Sequence, residues 1–323
     1  MSRSEEKPRK ALIGTCIFDT YGPYPGLAGR LKQLEGIIEA MLSKAAAEYP
    51  DQRLDIVSFP EDVLSDKKRE TAGESALSLG SGAVDFMRDQ AAGHGVYLVL
   101  PLLLREEETP GRYRNAAVLI GRQGEIVGKY YKAHPVLDQR LSSLEGGVVP
   151  GTDVPVFDCD FGRIGIQICF DVVYEDGWRR LAQQPAEIVI WPTESPQTVR
   201  PAARAWQGGY YVVSSTTRCN ASVFDPLGVA FAQIREPASV LVQQIDLSYA
   251  LLNWSARLAG GEALKEAYGC RIGYRYYEAE DCGIFWSEDP STSVGSMIRD
   301  MGFVEMHEFI EKNRKEQDRH RAT

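Results

Sequence analysis

Along this chain, hydrophobic and polar residues follow two periods, one typical of helices and one typical of strands. Apolar side chains recur at steps of three and four residues from Leu27 to Ala45, which predicts one long amphipathic helix ending near Tyr49. Shorter runs that are nearly all apolar, bounded mostly by glycine, proline or polar residues, predict buried strands. The predicted strands are 10–18, 54–59, 96–104, 186–191, 210–217 and 240–245, and further helices are predicted at 74–92, 174–182 and 201–208.

Two hairpins complete this pattern. Residues 113–120 and 125–132 flank the turn Gly121-Arg122-Gln123-Gly124, and a second hairpin at 222–233 turns at Asp225-Pro226-Leu227-Gly228. Strands that alternate with helices and then continue as hairpins predict an α/β fold, with a mixed sheet and helices packed outside it. Composition does not change between residues 10 and 246, so we predict one domain at 1–246.

The last part of the chain has a different character. Residues 247–323 are richer in aromatic and polar residues, as in Gly273-Tyr274-Arg275-Tyr276-Tyr277. We predict an ordered C-terminal aromatic extension that packs on the main domain or on a neighbouring subunit. Its last dozen residues, 312–323, are charged and polar and are predicted to be disordered.

Composition narrows the classes of partner. The formal net charge of −9 argues against a nucleic-acid binder, which needs a basic face. The sequence contains no run of about 18 apolar residues, so no membrane span is predicted. The six cysteines show no CxxC spacing, and the charged N-terminus lacks a signal-peptide core, so we expect a cytoplasmic protein with free thiols.

One cysteine lies at a corner that suits chemistry. Ile164, Ile166 and Ile168 alternate with Gly165 and Gln167 as in a strand, and a polar helical run follows Cys169 within a few residues. A side chain at such a corner can face a crevice, and the Phe170 N–H can face a developing negative charge. The alternative is that Cys169 is a small buried hydrophobe, as most free cysteines are.

Two other strand ends deliver a carboxylate and an amine. Glu61 follows the strand at 54–59, and Lys132 ends the first hairpin. A thiol is mostly protonated at neutral pH and needs a base, which a desolvated glutamate can be, while a lysine ammonium can stabilise an oxyanion. His134 is the one histidine suitably placed to replace the glutamate. The alternative roles are a capping carboxylate for Glu61 and a solvated hairpin end for Lys132.

These residues belong to motifs that resemble the nitrilase, or carbon–nitrogen hydrolase, superfamily. The motifs are Phe59-Pro60-Glu61, Gly128-Lys129-Tyr130-Tyr131-Lys132-Ala133-His134 and Gly165-Ile166-Gln167-Ile168-Cys169-Phe170-Asp171, in that order. Weaker similarities occur at 145–151, 186–192 and 222–228, so the resemblance covers about residues 10 to 246. It implies a four-layer α-β-β-α sandwich that assembles into a homodimer or a higher homo-oligomer, and it makes 1–246 the hydrolase domain.

The resemblance also implies catalytic roles. Glu61 would be the general base, Lys132 would stabilise the oxyanion together with the Phe170 N–H, and Cys169 would attack the substrate carbon to form a thioester. Glu145 matches an additional glutamate that orients the substrate or the lysine. This chemistry on a small-molecule substrate needs no cofactor, and the sequence shows no HExxH, CxxC or clustered-carboxylate pattern that would predict a metal site.

The residues after the cysteine indicate a branch of the superfamily. Cys169-Phe170-Asp171 resembles amidases and N-carbamoyl hydrolases more than nitrilases, which usually carry Cys-Trp-Glu, so we expect an amidase or N-carbamoyl hydrolase. Val173-Tyr174-Glu175 departs from the usual Phe-Pro-Glu. The candidate substrate-binding residues are Tyr113, His134, Thr193 and Glu194, and Arg200 or Arg204 can pair a substrate carboxylate unless they form surface ion pairs.

Three other functions remain as alternatives. The chain can instead be a nitrilase acting on a small nitrile, or an acyltransferase or amidotransferase that passes the thioester to an acceptor other than water. The third alternative is a catalytically silent module that uses the same fold for assembly, although it would not require a base, an amine and a thiol together.

Overall fold

The structure is a computed structural model that describes residues 3–139 and 142–321. The α-helices of this part are α1 Gly26–Glu48, α2 Gly82–His94, α3 Asp176–Gln183, α4 Val199–Gly208, α5 Glu262–Tyr268, α6 Val294–Asp300 and α7 Met306–Arg321. The strands are β1 Lys10–Cys16, β2 Ile56–Ser58, β3 Tyr97–Arg105, β4 Tyr113–Ile120, β5 Ile126–Tyr131, β6 Leu137–Asp138, β7 Ser143–Leu144, β8 Val156–Asp158, β9 Arg163–Ile166, β10 Ile188–Pro192, β11 Tyr211–Ser215, β12 Asn220–Phe224, β13 Ala230–Arg235, β14 Val240–Asp246, β15 Tyr249–Asn253, β16 Ile272–Tyr277 and β17 Cys282–Ser287.

The chain divides into two compact units, and two six-stranded mixed sheets form the centre of the larger one, Leu12–Gln244. The first has the order β14-β1-β2-β3-β4-β5, with β1, β2 and β3 parallel and β3, β4 and β5 antiparallel. The second has the order β13-β12-β11-β10-β9-β8, with β9, β10 and β11 parallel and its outer pairs antiparallel. Both sheets are therefore mixed, as the sequence predicts, with antiparallel strands at one edge of the first sheet and at both edges of the second.

The two sheets face each other, and helices cover their outer faces. The Thr15 hydroxyl of the first sheet donates a hydrogen bond of 2.6 Å to the carbonyl of Ser214 in the second sheet. The fully buried Leu34, Ile38 and Met41 of α1 pack with the core of the first sheet, because the helical period places them on one face. On the second sheet, α3 packs so closely that a Cβ on Gly165 would lie 2.7 Å from the Leu181 side chain. The result is the predicted four-layer α-β-β-α sandwich.

One predicted helix is shorter than the sequence suggests. We predicted a helix over 74–92, but α2 begins at Gly82, and residues 72–74 form only a 3-10 turn. The backbone of Leu77 instead pairs with β3, since its N–H bonds Leu103 O at 2.9 Å and its carbonyl accepts the Arg105 N–H at 2.8 Å. Backbone groups that pair with a strand cannot also close helical turns, so this tertiary pairing with β3 overrides the local helical period.

The remaining residues form a second compact unit, Met1–Ala11 together with Ile245–Thr323. It contains an antiparallel sheet of order β15-β17-β16 and the helices α5 to α7. The N-terminal residues join it through backbone contacts such as Leu247 N–H to Arg9 O at 2.8 Å. The predicted boundary after residue 246 remains a prediction, and the sequence did not anticipate that the first residues group with the last ones.

The predicted disorder of 312–323 is wrong for the residues that the structure describes. Helix α7 continues to Arg321, and residues 322–323 lie outside the described range. Ion pairs one turn apart line this exposed helix, with Lys312 2.7 Å from Glu308 and Lys315 3.5 Å from Glu311. Pairs at this spacing favour a helix even where no apolar face is buried.

Candidate active site

Glu61, Lys132 and Cys169 come from different strand ends and meet at one pocket. Lys132 directly follows β5, Glu61 lies three residues after β2, and Cys169 begins a 3-10 helix shortly after β9. The pocket has a volume of about 350 Å³. It is lined by Tyr21, Glu61, Asp62, Lys67, Arg69, Glu70, Asn115, Lys132, Val136, Asp138, Glu145, Gly146, Cys169 and Glu194.

Lys132 is held between two carboxylates. Its Nζ lies 2.6 Å from Glu61 Oε1 and 2.5 Å from Glu145 Oε1. The lysine is only 1% exposed and Glu61 only 5%, so water cannot solvate these charges. The two carboxylates stabilise the ammonium in place of water, and their hydrogen bonds fix the position of Lys132 Nζ.

Glu145 is placed by the backbone around it. It lies directly after β7 with a positive φ of 46°, a backbone conformation that residues other than glycine rarely adopt. Its Oε1 also accepts the Val136 N–H at 2.9 Å, so the loop after β5 helps to orient the carboxylate. Positive φ values at non-glycine residues are typical of functional sites, where the surrounding structure stabilises the strain.

Asn115 of β4 also contacts these carboxylates, although it belongs to none of the motifs that predict the site. Its side-chain amide donates to Glu61 Oε1 at 2.8 Å and to Glu145 Oε2 at 2.9 Å. Its backbone carbonyl accepts the Lys132 N–H at 2.8 Å. A signal was present in the sequence, since a polar residue in the apolar run 113–120 has to find buried partners.

Cys169 occupies the sharp corner that its sequence position predicts. Its φ is 42°, and its carbonyl accepts a hydrogen bond of 3.0 Å from the Trp191 indole. Glu61 and Thr193 act on the thiol in opposite directions, since Glu61 raises its pKa and Thr193 lowers it. The Phe170 N–H lies in the first turn of the following 3-10 helix, Cys169–Val173, where N–H groups have no partner within the helix.

Burial and charge set the protonation of this site. Burial and the charge of Glu61 raise the pKa of the Cys169 thiol, so the resting thiol is protonated. Burial, helped by Glu145, also raises the pKa of Glu61 although Lys132 opposes it. Burial disfavours the charged form of Lys132, but the negative charges around it prevail and raise its pKa well above its usual range. The arrangement offers a proton acceptor, a permanent cation and a nucleophile within one pocket.

Asp171 connects the cysteine corner to the loop that follows Lys132. Its fully buried carboxylate accepts the Ile168 N–H at 2.9 Å and the Tyr130 hydroxyl at 2.8 Å. It also accepts the His134 backbone N–H at 2.8 Å and lies 3.0 Å from His134 Nδ1. One side chain thus joins two segments that carry the predicted nucleophile and amine.

The predicted substrate-binding residues occupy different positions. Glu194 lines the pocket, where it pairs with Lys67 at 2.7 Å and with the Tyr21 hydroxyl. Thr193 is fully buried beside the thiol. Thr193, Tyr113 and His134 all lie outside the pocket lining. Tyr113 packs in a small apolar cluster around Val148, and the His134 ring stacks on Tyr174 at 3.9 Å.

The two arginines considered for a substrate carboxylate also lie outside the pocket lining. Arg204 is buried, and its guanidinium donates to the carbonyls of Val172 and Val173. Arg200 bonds the side chain of Gln197 at an exposed position. The polar residues that line the pocket include Lys67, Asp62 and Arg69, which the sequence pattern did not distinguish from a solvated loop.

Within residues 3–139 and 142–321, no group of three or more His, Cys, Asp and Glu side chains is arranged to hold a metal ion. Nor does any helix in these ranges combine the length and the apolar character that crossing a membrane requires.

Comparisons with known proteins point to one family. The family model described as carbon–nitrogen hydrolase matches residues 24–251. A probable hydrolase of Bacillus subtilis, YhcX, is 30% identical over 197 residues, which are 57% of this chain and 37% of YhcX. The deaminated glutathione amidase of Synechocystis sp. is 24% identical over 248 residues, 69% of this chain and 88% of that protein.

A solved structure shows the same fold. Saccharomyces cerevisiae Nit3, a member of branch 10 of the nitrilase superfamily, is similar with a TM-score of 0.63 and 18% sequence identity. The similarity covers 81% of this chain and 95% of Nit3.

Proposed function

Because the chain belongs to the carbon–nitrogen hydrolase family, we propose that it hydrolyses a carbon–nitrogen bond in a small amide or N-carbamoyl compound through an acyl-enzyme on Cys169. One observation carries this proposal: a buried carboxylate and a buried ammonium, 2.6 Å apart, line one pocket with the Cys169 thiol, whose pKa that carboxylate raises. A base, a cation and a nucleophile are the groups that acyl transfer requires.

In the first half of the proposed reaction, Glu61 takes the proton of the Cys169 thiol while the sulfur bonds the substrate carbonyl carbon. The carbonyl electron pair moves to its oxygen, and the Lys132 ammonium and the Phe170 N–H stabilise that oxyanion. When the intermediate collapses, the carbon–nitrogen bond breaks and Glu61 returns the proton to the nitrogen. Ammonia or an amine leaves, and a thioester remains.

In the second half, Glu61 accepts a proton from water as the water oxygen attacks the thioester carbon. The carbon–sulfur bond breaks, the acid is released, and the sulfur regains a proton. The high pKa of Lys132 keeps its ammonium charged through both halves, while Glu145 and Asn115 keep Glu61 and Lys132 in place.

Two features support an amide or N-carbamoyl substrate. The sequence Cys169-Phe170-Asp171 resembles that of amidases, and a relative 24% identical over 69% of this chain is a deaminated glutathione amidase. The lining of the pocket is mostly charged or polar, which suits a small polar substrate better than an apolar one.

The proposal is tested by incubating the purified protein with simple amides, N-carbamoyl amino acids and nitriles and measuring ammonia. We expect release from amides or N-carbamoyl compounds, and none from Cys169→Ser. The Glu61→Gln variant lacks the base for both halves, so it should release little ammonia, and any acyl adduct that does form on Cys169 should persist and be detected by intact mass. Ammonia release that persists unchanged in Cys169→Ser would refute the mechanism, and release from nitriles alone would identify a nitrilase. A wild type that acts on none of the three classes would favour a silent assembly module.

We further propose that the protein forms a homodimer or a higher homo-oligomer through α4. This short helix exposes two large apolar side chains, with Val199 81% exposed and Trp206 49% exposed. Apolar side chains of this size on one helix are typical of an interaction surface.

A further inference from the structure

Asn115 lies in the pocket and contacts both carboxylates, although none of the three predicted motifs contains it. It sits on β4 and is 4% exposed. A neutral carboxamide nitrogen has two N–H donors, and here one reaches Glu61 and the other reaches Glu145. Asn115 therefore supplies two hydrogen bonds to two anions without adding a charge of its own.

The same contacts occupy one of the two carboxylate oxygens of Glu61. Glu61 Oε1 accepts both from Lys132 Nζ at 2.6 Å and from Asn115 at 2.8 Å. Two donors on one oxygen leave Oε2 to accept the thiol proton. The terminal torsion of a glutamate is broad and two-fold, so a single ionic partner fixes the carboxylate plane poorly, and a second partner fixes it well.

We propose that Asn115 is a positioning residue, which orients Glu61 toward Cys169 and lets two carboxylates share one ammonium. The inference rests on the proposed function, in which Glu61 is the base. Lys132 alone gives this unit one positive charge against two negative ones, and the two Asn115 donors offset part of the remaining repulsion.

The variant Asn115→Asp tests this role. It keeps the shape of the side chain but replaces the amide group, which carries both N–H donors, with a carboxylate oxygen that only accepts. The new aspartate adds a third carboxylate to the cluster of Glu61 and Glu145. Its negative charge raises the pKa of Glu61, so Glu61 is harder to deprotonate. The activity of Glu61 as a base, which rises with pH as its carboxylic acid loses a proton, should then begin at a higher pH. The variant Asn115→Ala, which only removes the two donors, is the second test if Asn115→Asp does not fold.

The measurement does not depend on knowing the substrate. The protein is alkylated with iodoacetamide across a pH series, and the rate at Cys169 is read by peptide mass spectrometry. The exposed Cys219 and Cys270 of the same molecules are internal controls. Val118→Ala is the matched control variant, since Val118 is a fully buried residue of β4 that packs in the helix-side core instead of the pocket.

We expect the midpoint of the Cys169 rate profile to move to higher pH by about one unit in Asn115→Asp. In Asn115→Ala the Cys169 rate should fall about tenfold, as expected for loss of a hydrogen bond to a charged group. Val118→Ala should change neither the midpoint of the Cys169 profile nor the Cys169 rate. Cys219 and Cys270 should each react at the same rate in all variants as in the wild type.

The proposal is overturned if the Asn115 variants give the same Cys169 profile as Val118→Ala. A wild type that hydrolyses no amide, N-carbamoyl compound or nitrile would instead refute the proposed function. The Cys169 alkylation profile would still decide the role of Asn115 in that case.

Discussion

Several buried residues of this protein carry ionisable side chains whose charged form is disfavoured by burial. The neighbouring charged and polar groups determine whether such a side chain stays ionised. Lys132 is 1% exposed and has carboxylates on two sides, so its ammonium is stabilised by the protein instead of by water. Removal of one partner from such a group leaves the others buried and unpaired, which costs more than the contact itself contributes.

We predict that Lys132→Met abolishes most activity and destabilises the protein. The oxyanion would lose its cation, so kcat should fall by about 10²- to 10³-fold. Glu61 and Glu145 would lose their counter-ion, which should lower the free energy of unfolding by about 3 kcal/mol. Ammonia assays and urea denaturation measure the two effects. Lys129→Met is the control, since Lys129 is exposed on β5, the strand that ends just before Lys132. Equal effects of both changes would contradict the role of Lys132.

A second residue of this kind is Asp246, which lies at the end of β14. Burial raises the pKa of its carboxyl to about 7, although Lys10 opposes this shift at 3.8 Å. In the unfolded chain the same group loses its proton near pH 4. Between these two values the unfolded state is charged while the folded state still holds the proton, so rising pH favours unfolding.

We therefore predict that Asp246→Asn flattens the pH dependence of stability between pH 4 and 7. At pH 8 the variant should be more stable than the wild type by an amount on the order of 4 kcal/mol, and at pH 3.5 the two should match. Urea denaturation across this range measures the difference. If the variant is less stable at every pH, the carboxylate has a stabilising role that burial does not reveal.

At the scale of elements, the corner at Cys169 depends on the loop that follows β5. Asp171 joins the two, since it accepts the Ile168 N–H on one side and the backbone and ring of His134 on the other. His134 stacks in turn on Tyr174, which belongs to the segment 173–175 where the sequence departs from the common amidase pattern. The departure supplies this aromatic partner.

We predict that His134 titrates at a higher pH than an ordinary histidine. The hydrogen bond to Asp171 raises its pKa, helped by the charges of Asp171 and Asp176, whereas burial and Lys132 oppose the shift. Protonated His134 therefore stabilises the folded state. This contribution is complete below pH 6.5, the usual pKa of histidine in an unfolded chain, and it is lost as the pH rises through the higher pKa of the folded state.

NMR titration of the ring proton measures this, with His134→Gln to identify the signal. Asp171→Asn should shift the titration of His134 back toward lower pH. A titration midpoint at or below that of an unstructured histidine would exclude the ion pair.

At the scale of the whole molecule, α4 is the surface on which we place self-association. We predict that wild-type protein elutes as a dimer or larger species in size exclusion with light scattering. Trp206→Glu should shift it toward the monomer, because a charge would have to be buried at the contact. Arg200→Glu, at an exposed position of the same helix, controls for charge. A wild type that is monomeric at all concentrations would rule out this interface.

Much of the fold follows from the sequence alone, for a physical reason. The hairpin strand 113–120 and the long helix near 27–48 are predicted within a residue or two, because the period of apolar positions records which face of an element is buried. The end of the chain was predicted less well. Helix α7 buries only Met306 along its length, so the apolar pattern carried no signal there.

The sequence by itself determined the order of strands and helices through residue 246, the mixed α/β architecture and the three strand ends that carry Glu61, Lys132 and Cys169. Local periodicity and motif order suffice for these. Only the tertiary structure decided that Asn115 bonds Glu61 across 54 residues and Glu145 across 30 residues, and that Leu77 pairs with β3 instead of forming part of a helix. Such contacts depend on how distant segments pack together, and no local period records that.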